Sequence, residues 1–466
     1  MALAMVTLSP AFLSGQTMGD VNPLSQNLSQ LPPAFAGSVP AGKASSTVLE
    51  LSLHDALDLS LKQNLGLIEG TQDIRSAQAA RLRTLSKLLP DINARIAESV
   101  QQNNLAAFGL PPFPGVPQIV GPFSLSDARA SLSQSVLDLS AWNKEKSASL
   151  DQRAAQLSYA DAREIVVVVV ADMYLQAVAS SARVDAAQSQ LATAQATYDQ
   201  AINMRKAGVV AGIDVLRSQV ELKQQQQRLL AQENQLAKDK LALGRAIGLP
   251  PGQEFTIAES APYSPLAATT ADQALRTALE QRPDYQSAKA QVRAAEEAVK
   301  AAHAERYPIA GVTADYGDVG PTIANSHGTF TLAGSVKFNI YGGGRISGDI
   351  TQAKANLKQR QDDLADLGGQ IDYQVRTALL DIQSAADQVA VAESNLQLAN
   401  QTLDQARDRF SAGVADTIEV VQAQESVASA NDNLISSLYS HNLAKVALAR
   451  ALGSAEQGIR KFVEVK

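Results

Sequence analysis

An internal duplication limits this chain more than any other feature, because a repeat this long sets the topology of both halves together. Leu53-His54-Asp55-Ala56-Leu57 returns as Ala271-Asp272-Gln273-Ala274-Leu275, an offset of 218, and Pro90 returns as Pro308 at the same spacing. Later, Ala207-Gly208-Val209 returns as Ala412-Gly413-Val414, Asp214 as Glu419, and Ala246-Ile247-Gly248 as Ala451-Leu452-Gly453, all at an offset of 205. The first unit is therefore longer by 13 residues. The excess falls around the Pro-rich stretch Phe108 to Gly115, which reads as a lengthened loop.

Each unit reads as helix, strand, loop, strand, very long helix, tight turn, helix. After Pro308, the residues Ala310, Val312, Ala314 and Tyr316 alternate with Thr313 and Asp315. From Thr329 onward, Phe330, Leu332, Gly334, Val336, Phe338 and Ile340 alternate with Thr331, Ala333, Ser335, Lys337 and Asn339. Period two over about a dozen residues is long enough to cross a bilayer as a tilted strand. The first unit repeats this more weakly, through Ile92, Ala94 and Ile96 and then Ala128, Ala130 and Leu132. The expected strands are about 91–100, 124–137, 309–317 and 328–341. Taken alone they fit an ordinary half-buried hairpin equally well. Trp142, Tyr307 and Tyr341 at the strand ends suit membrane-interface aromatics.

The helices favour the membrane reading. Val375, Ile382, Val389, Leu396, Leu403 and Phe410 recur every seven residues, with Ala378, Ala385, Ala392, Ala399 and Ala406 between them. The first unit matches with Val170, Ala177, Val184, Leu191 and Tyr198, interleaved with Met173, Ser180, Ala187, Ala194 and Ala201. A strict heptad mismatched to 3.6 residues per turn predicts left-handed supercoiling of several helices. Pro and Gly are absent from about 141–206 and about 371–411, with Gly368 and Gly369 just upstream of the second run. A helix of about 66 residues is about 100 Å long. Val166 to Val170 favours a strand locally, but Glu164 and Asp172 flank it and the heptad continues, so the prediction is helix.

Aromatics make up only 5% and cysteine is absent. That usage excludes disulfides, thiolate metal sites, a Cys nucleophile and an acylated N-terminal Cys, and it suits coiled coils better than a bulky core. A net charge of −7 without a concentrated basic face argues against nucleic acid. The four histidines, His54, His303, His327 and His441, lack metal-ligand spacing and read as surface or packing residues. Gly342-Gly343-Gly344 lacks the spacing of a phosphate loop and reads as a flexible joint. No catalytic, cofactor or metal site is expected, and the chain reads as a non-enzyme.

Met1 to Gly15 is apolar with small residues after it, like the core of a signal peptide, although no Lys or Arg precedes Lys43. The expected organisation is a signal-like segment 1–20, a linker 21–48, the first repeat 49–249, a second linker 250–270, the second repeat 271–453 and a tail 454–466. No run reaches the ~18 consecutive apolar residues of a membrane helix, so strands must do any spanning. Four strands cannot close a barrel, and open edges are not tolerated in hydrocarbon. Two chains would give eight strands with a filled interior, whereas three would give twelve and leave a lumen.

At this point the residues resemble a known family. Ala56-Leu57 and Ala274-Leu275, the Leu89-Pro90 and Tyr307-Pro308 helix ends, Tyr341-Gly342-Gly343-Gly344-Arg345, and above all Arg409-Phe410-Ser411-Ala412-Gly413 with Ile418-Glu419-Val420 look like the TolC-type outer-membrane efflux proteins. The resemblance covers about residues 50 to 453. It implies an α+β protein of mostly long helices, forming a homotrimer with a twelve-stranded barrel above a twelve-helix periplasmic tunnel. It also implies docking of a periplasmic adaptor protein that couples the duct to an inner-membrane pump of the RND or ABC type.

In that family the two turns form the periplasmic tip, here Lys206 to Ile213 and Ser411 to Ile418, where Gly208 and Gly413 suit left-handed helix caps. Val209 and Val414 become candidate adaptor contacts, and Phe410 a packing residue of the gate. Glu419 matches an acidic ring at the family's entrance constriction, with Asp214 its repeat mate and Asp416 a candidate second ring. A helix N-terminal acid favoured by the dipole is the plainer reading of Glu419. Gln422 and Ala415 depart from the family's second acid and latch arginine. A soluble coiled-coil scaffold or adaptor and a self-contained porin remain the alternatives. The first leaves the strands without a purpose, and the second is opposed by the helical bulk.

Overall fold

The computed structural model describes residues 33–109, 111, 114–258 and 270–463. The signal-like segment 1–20, parts of both expected linkers (21–32 and 259–269), residues 110, 112 and 113 of the lengthened loop, and 464–466 lie outside the described residues. The order is β1 (Leu49–Leu51), α1 (Leu53–Gln63), α2 (Leu65–Leu85), β2 (Asp91–Asn104), β3 (Ile119–Leu137), α3 (Leu139–Lys206), α4 (Gly212–Ile247), β4 (Phe255–Ile257), α5 (Ala271–Gln281), α6 (Pro283–Ala304), β5 (Ile309–Gly320), β6 (His327–Lys337), α7 (Arg345–Ser411), α8 (Thr417–Ala451) and α9 (Ala455–Val463).

Each repeat opens with an 11-residue helix that breaks at a matched position. Asn64 and Arg282 are mates at the 218 offset, and both take extended backbone there, with ψ of 131° and 121°. Asn64 holds its break through its side chain, which accepts the Gly66 N–H at 2.9 Å and donates to the Phe35 carbonyl at 2.7 Å. At the second break Pro283 starts α6, and the buried Arg282 guanidinium grips Asp284 at 2.6 Å. Different chemistry thus produces the same bend.

The four long strands form one antiparallel sheet in the order β2-β3-β5-β6. Register puts Ile92 opposite Leu132, Ala130 opposite Tyr316, Tyr316 opposite Phe330 and Ala314 opposite Leu332, so one face is apolar. The other carries Asn93, Arg95, Arg129, Ser131, Thr313, Asp315, Thr331 and Ser335. On that face Arg129 lies between Asp127 at 2.6 Å and Asp315 at 3.2 Å. The apolar face is uncovered: Ile96 is 82% exposed and Phe330 78%. Both outer strands, β2 and β6, end the ladder with a free edge.

The core sits midway along the helices. Val166, Val167 and Val170 of α3 are fully buried with Leu51, Leu57, Ile247 and Ile459, and Tyr174 donates to the Leu51 carbonyl at 3.2 Å. Each such valine contributes about 1.5–3 kcal/mol by burial, which outweighs the strand preference of the run. The seams on α7 are buried at Val375, Ala378, Ala385, Val389, Ala392, Ala399, Leu403, Ala406 and Phe410.

Helix α7 begins at Arg345, directly after the Gly342-Gly343-Gly344 joint, and runs 67 residues straight through Gly368 and Gly369, because two glycines cost only about 1 kcal/mol each. Three expectations need correction. Strand β6 stops at Lys337, short of the expected 341, because its partner strand β5 begins at Ile309, just after Pro308, and leaves Phe338 to Tyr341 nothing to pair with. The linker expected at 250–270 contains β4, which pairs in parallel with β1 and inserts Phe255 into the core. The expected tail 454–466 is largely the helix α9, anchored by Ala455 and Ile459 in that core.

Candidate functional site

The two turns are closed by the same hydrogen bonds. Val209 donates its N–H to the Met204 carbonyl at 2.9 Å, and Val414 donates to the Arg409 carbonyl at 3.0 Å. This six-to-one closure puts the glycine in the left-handed region, and Gly208 and Gly413 have φ of 75° and 72°. An added Cβ at Gly208 would meet nothing within 4 Å, so the backbone conformation alone requires glycine there. At Gly413 it would lie 3.5 Å from Val209, which places the two turns side by side. Val209 and Val414 both stand exposed at the end of the molecule.

Above the turns, Phe410 is 1% exposed and packs with Leu403, Ala406, Val420, Val215 and Ala201, so it joins the two helix pairs. A layer further up, Gln424 of α8 donates to Thr197 of α3 at 2.9 Å, and Gln225 to Glu221 within α4 at 2.7 Å. Burial pushes the Glu221 carboxyl above its ordinary value. The Gln424–Thr197 contact bridges the two helix pairs where the apolar cluster ends.

The three predicted carboxylates have three different environments. Asp214 is buried and faces Arg217 of its own helix at 3.4 Å. Glu419 is half-exposed and pairs across the turn with Arg409 at 3.1 Å. Asp416 is the N-cap of α8, accepting the Ile418 and Glu419 N–H groups at 3.0 and 3.3 Å. Asp214 and Glu419 therefore face different cations, Arg217 and Arg409. Asp416 satisfies orphan donors of its helix, and its repeat mate Ala211 makes no side-chain cap. The role of Arg409 as the partner of Glu419 was not read from the sequence. The signal was present, since a cation in the last turn of one helix and an anion in the first turn of the next meet across a short closed turn.

Along the upper half of the helices, α3, α6 and α7 line a polar groove with Asp151, Gln291, Asp349, Gln352, Asn356 and Arg360. Burial pushes Asp151 up, and Arg360 partly offsets this. At the sheet end, Trp142, Tyr307 and Tyr341 are all exposed, Tyr341 the most at 86%. Among the described residues no three of the types His, Cys, Asp and Glu gather as metal ligands would.

A duplicated helix–hairpin–helix frame, an amphipathic four-stranded sheet with free edges and a helical body ending in paired turns define a channel protomer. The chain belongs to the outer membrane efflux protein family, whose sequence profile matches residues 56–249 and 274–454. It is 24% identical over 425 residues to the pyoverdine export outer membrane protein OpmQ of Pseudomonas aeruginosa, covering 88% of this chain and 86% of that one. A crystal structure of a membrane protein from Pseudomonas aeruginosa superposes with a TM-score of 0.76 at 18% identity, covering 89% and 98% of the two chains. The open-state MtrE outer membrane channel of Neisseria gonorrhoeae gives a TM-score of 0.73 at 17% identity over 90% and 95%. Those two likenesses establish the fold, which is that of outer membrane channels, and the family places the protein in the outer membrane as an efflux component.

Proposed function

We propose that three copies close a twelve-stranded barrel in the outer membrane, continuous with a twelve-helix periplasmic tunnel, as the passive exit duct of a tripartite efflux or type I secretion system. The observation that carries this is the sheet: one apolar face, one polar face and two unpaired edges. Strands with unsatisfied edges do not persist in lipid, so β6 of one copy pairs with β2 of the next. Three copies leave a bore and two do not. The helices support the same closure. Tyr373, Leu380, Val391 and Leu398 of α7 are exposed at spacings of 7, 11 and 7, which keeps them on one helix face, and that face meets a neighbouring copy.

In this reading the polar groove of α3, α6 and α7 is a strip of the tunnel wall. The paired turns form the periplasmic tip, where exposed Val209 and Val414 at Gly208 and Gly413 receive a periplasmic adaptor protein, itself joined to an inner-membrane pump of the RND or ABC type. Three Glu419 carboxylates ring the entrance, each tempered by Arg409. Asp214 lies outside that ring, and Asp416 serves its helix. Cargo is chosen by the pump, and export of pyoverdine, as the name of the Pseudomonas relative describes, is one use of such a duct.

Membrane fractionation followed by an unboiled gel tests the assembly. A trimer in the outer membrane is expected, whereas a soluble monomer would mark the protein as a periplasmic scaffold and end the proposal. For the gate, Glu419→Ala in a planar bilayer should raise conductance and weaken cation preference.

A further inference from the structure

The charge balance of the molecule reverses where the sheet joins the helices. The chain as a whole is acidic, at −7. At this joint, however, two carboxylates are paired with cations and two others accept hydrogen bonds from neutral groups. Asp138 caps α3 through the Ala141 N–H, Asp91 accepts from Asn93, Glu145 holds Arg81 at 2.9 Å, and Glu305 takes Lys144 at 3.0 Å and Arg345 at 2.8 Å. Three exposed cations on the connections beside the sheet, Lys87, Lys146 and Arg306, form no salt bridge among the described residues. Each lies within four residues in sequence of a large exposed apolar group: Leu89, Trp142 and Tyr307 respectively. Lys146 Nζ lies 5.9 Å over the Trp142 ring.

The three pairs sit on three different connections, after α2, at the start of α3 and after α6. Their repetition around the joint makes them a collar. A ring or aliphatic body with a cation at its edge matches a membrane interface, where the body sits at headgroup depth and the cation reaches the phosphates. We propose that this collar binds anionic phospholipid headgroups in the periplasmic-side leaflet, a site that rests on the barrel reading above. The charge argument selects anionic over zwitterionic lipid, because an ammonium on the headgroup would repel the same unpaired cations that the phosphate attracts.

Trp142 is the single tryptophan of the chain, so its fluorescence reports this collar alone. The full-length protein is reconstituted in phosphatidylcholine vesicles doped with brominated phosphatidylglycerol or, separately, with brominated phosphatidylcholine. The anionic lipid is expected to quench Trp142 with about five-fold higher apparent association. The preference should shrink in high salt and vanish in the variant Lys87→Gln/Lys146→Gln/Arg306→Gln, whose substitutions are exposed and leave the fold and trimer intact on an unboiled gel. Equal quenching by the two lipids overturns the proposal, as does a preference that survives the triple substitution. Protein that floats with the vesicles yet is quenched by neither lipid also removes the collar while leaving the barrel standing. Protein that fails to float with the vesicles overturns the barrel reading itself, and the collar with it.

Discussion

Helices α3 and α7 are mates of the duplication, 68 and 67 residues long and closed by the same turn, yet α3 buries nearly twice as many side chains. The cause is what surrounds them. The chain covers α3 with α1, α2, α4, α6 and α8, whereas α7 packs on α5, α6 and α8 and leaves a face open. On that face Tyr373, Leu380, Val391 and Leu398 are all more than half exposed. Duplication therefore copies a backbone and a seam, but not a role. One copy became the enclosed strut of the chain, and the other kept an open apolar face.

The same substitution on both helices should break the comparison open, with the largest effect on α3. Val170→Asp places an unpaired carboxylate in a fully buried layer, at a cost of about 4 kcal/mol or more. Loss of folded protein is expected, read by circular dichroism and yield. Leu380→Asp, on the open face, should leave the helical spectrum of the protomer unchanged and abolish the trimer band on an unboiled gel. If Leu380→Asp unfolds the protomer as Val170→Asp does, α7 is not an open face.

The turns sharpen the comparison at smaller scale, because one backbone carries two sets of charges. Asp416→Ala removes the cap of α8 and should cost about 1 kcal/mol in chemical denaturation. The reverse change, Ala211→Asp at the uncapped mate, should stabilise by a similar amount. Arg409→Ala, which frees a half-exposed Glu419, should cost about 0.5 kcal/mol or less. Its conductance effect should nevertheless follow that of the charge, with cation preference rising as Glu419 loses its partner.

These contrasts also mark how far the sequence could be read. The seam on α7 was legible because Val375, Ala378, Val389 and Leu403 repeat over many turns, and helical period is the signal least disturbed by neighbours. The turns were legible because only glycine fits Gly208 and Gly413 cheaply. Where the reading failed, the deciding contact was distant or the element short. Helix α9 has nine residues and is held by Ala455 and Ile459 docking on α3, with Glu164 accepting the N–H groups of Ala455 and Glu456. A three-residue strand such as β4 has no period to detect. The end of β6 is set by Pro308 just ahead of another strand, and the tie between Glu419 and Arg409 by a turn geometry that spacing alone does not display.

Protonation gives the finest test of the difference between the two helices. Burial pushes Asp151, Asp161, Glu164 and Asp172 of α3 above their ordinary values, whereas on α7 Asp381 is the one carboxyl that burial raises. At Asp172, burial raises the carboxyl and the hydroxyl of Tyr439, donating at 2.6 Å, partly opposes it. A carboxyl raised on folding holds its proton more tightly in the native state. Its contribution to stability is then complete below the unfolded carboxyl pKa and is lost as pH rises through the higher folded value. Asp172→Asn keeps an acceptor for Tyr439 and removes the ionisation, so the variant should gain stability relative to wild type between those two values and stay level above them. Denaturation midpoints of wild type and Asp172→Asn from acid to neutral pH decide the matter. A flat difference for Asp172→Asn would mean that the site is solvated in the assembled protein and that the interior of α3 is less closed than its burial indicates.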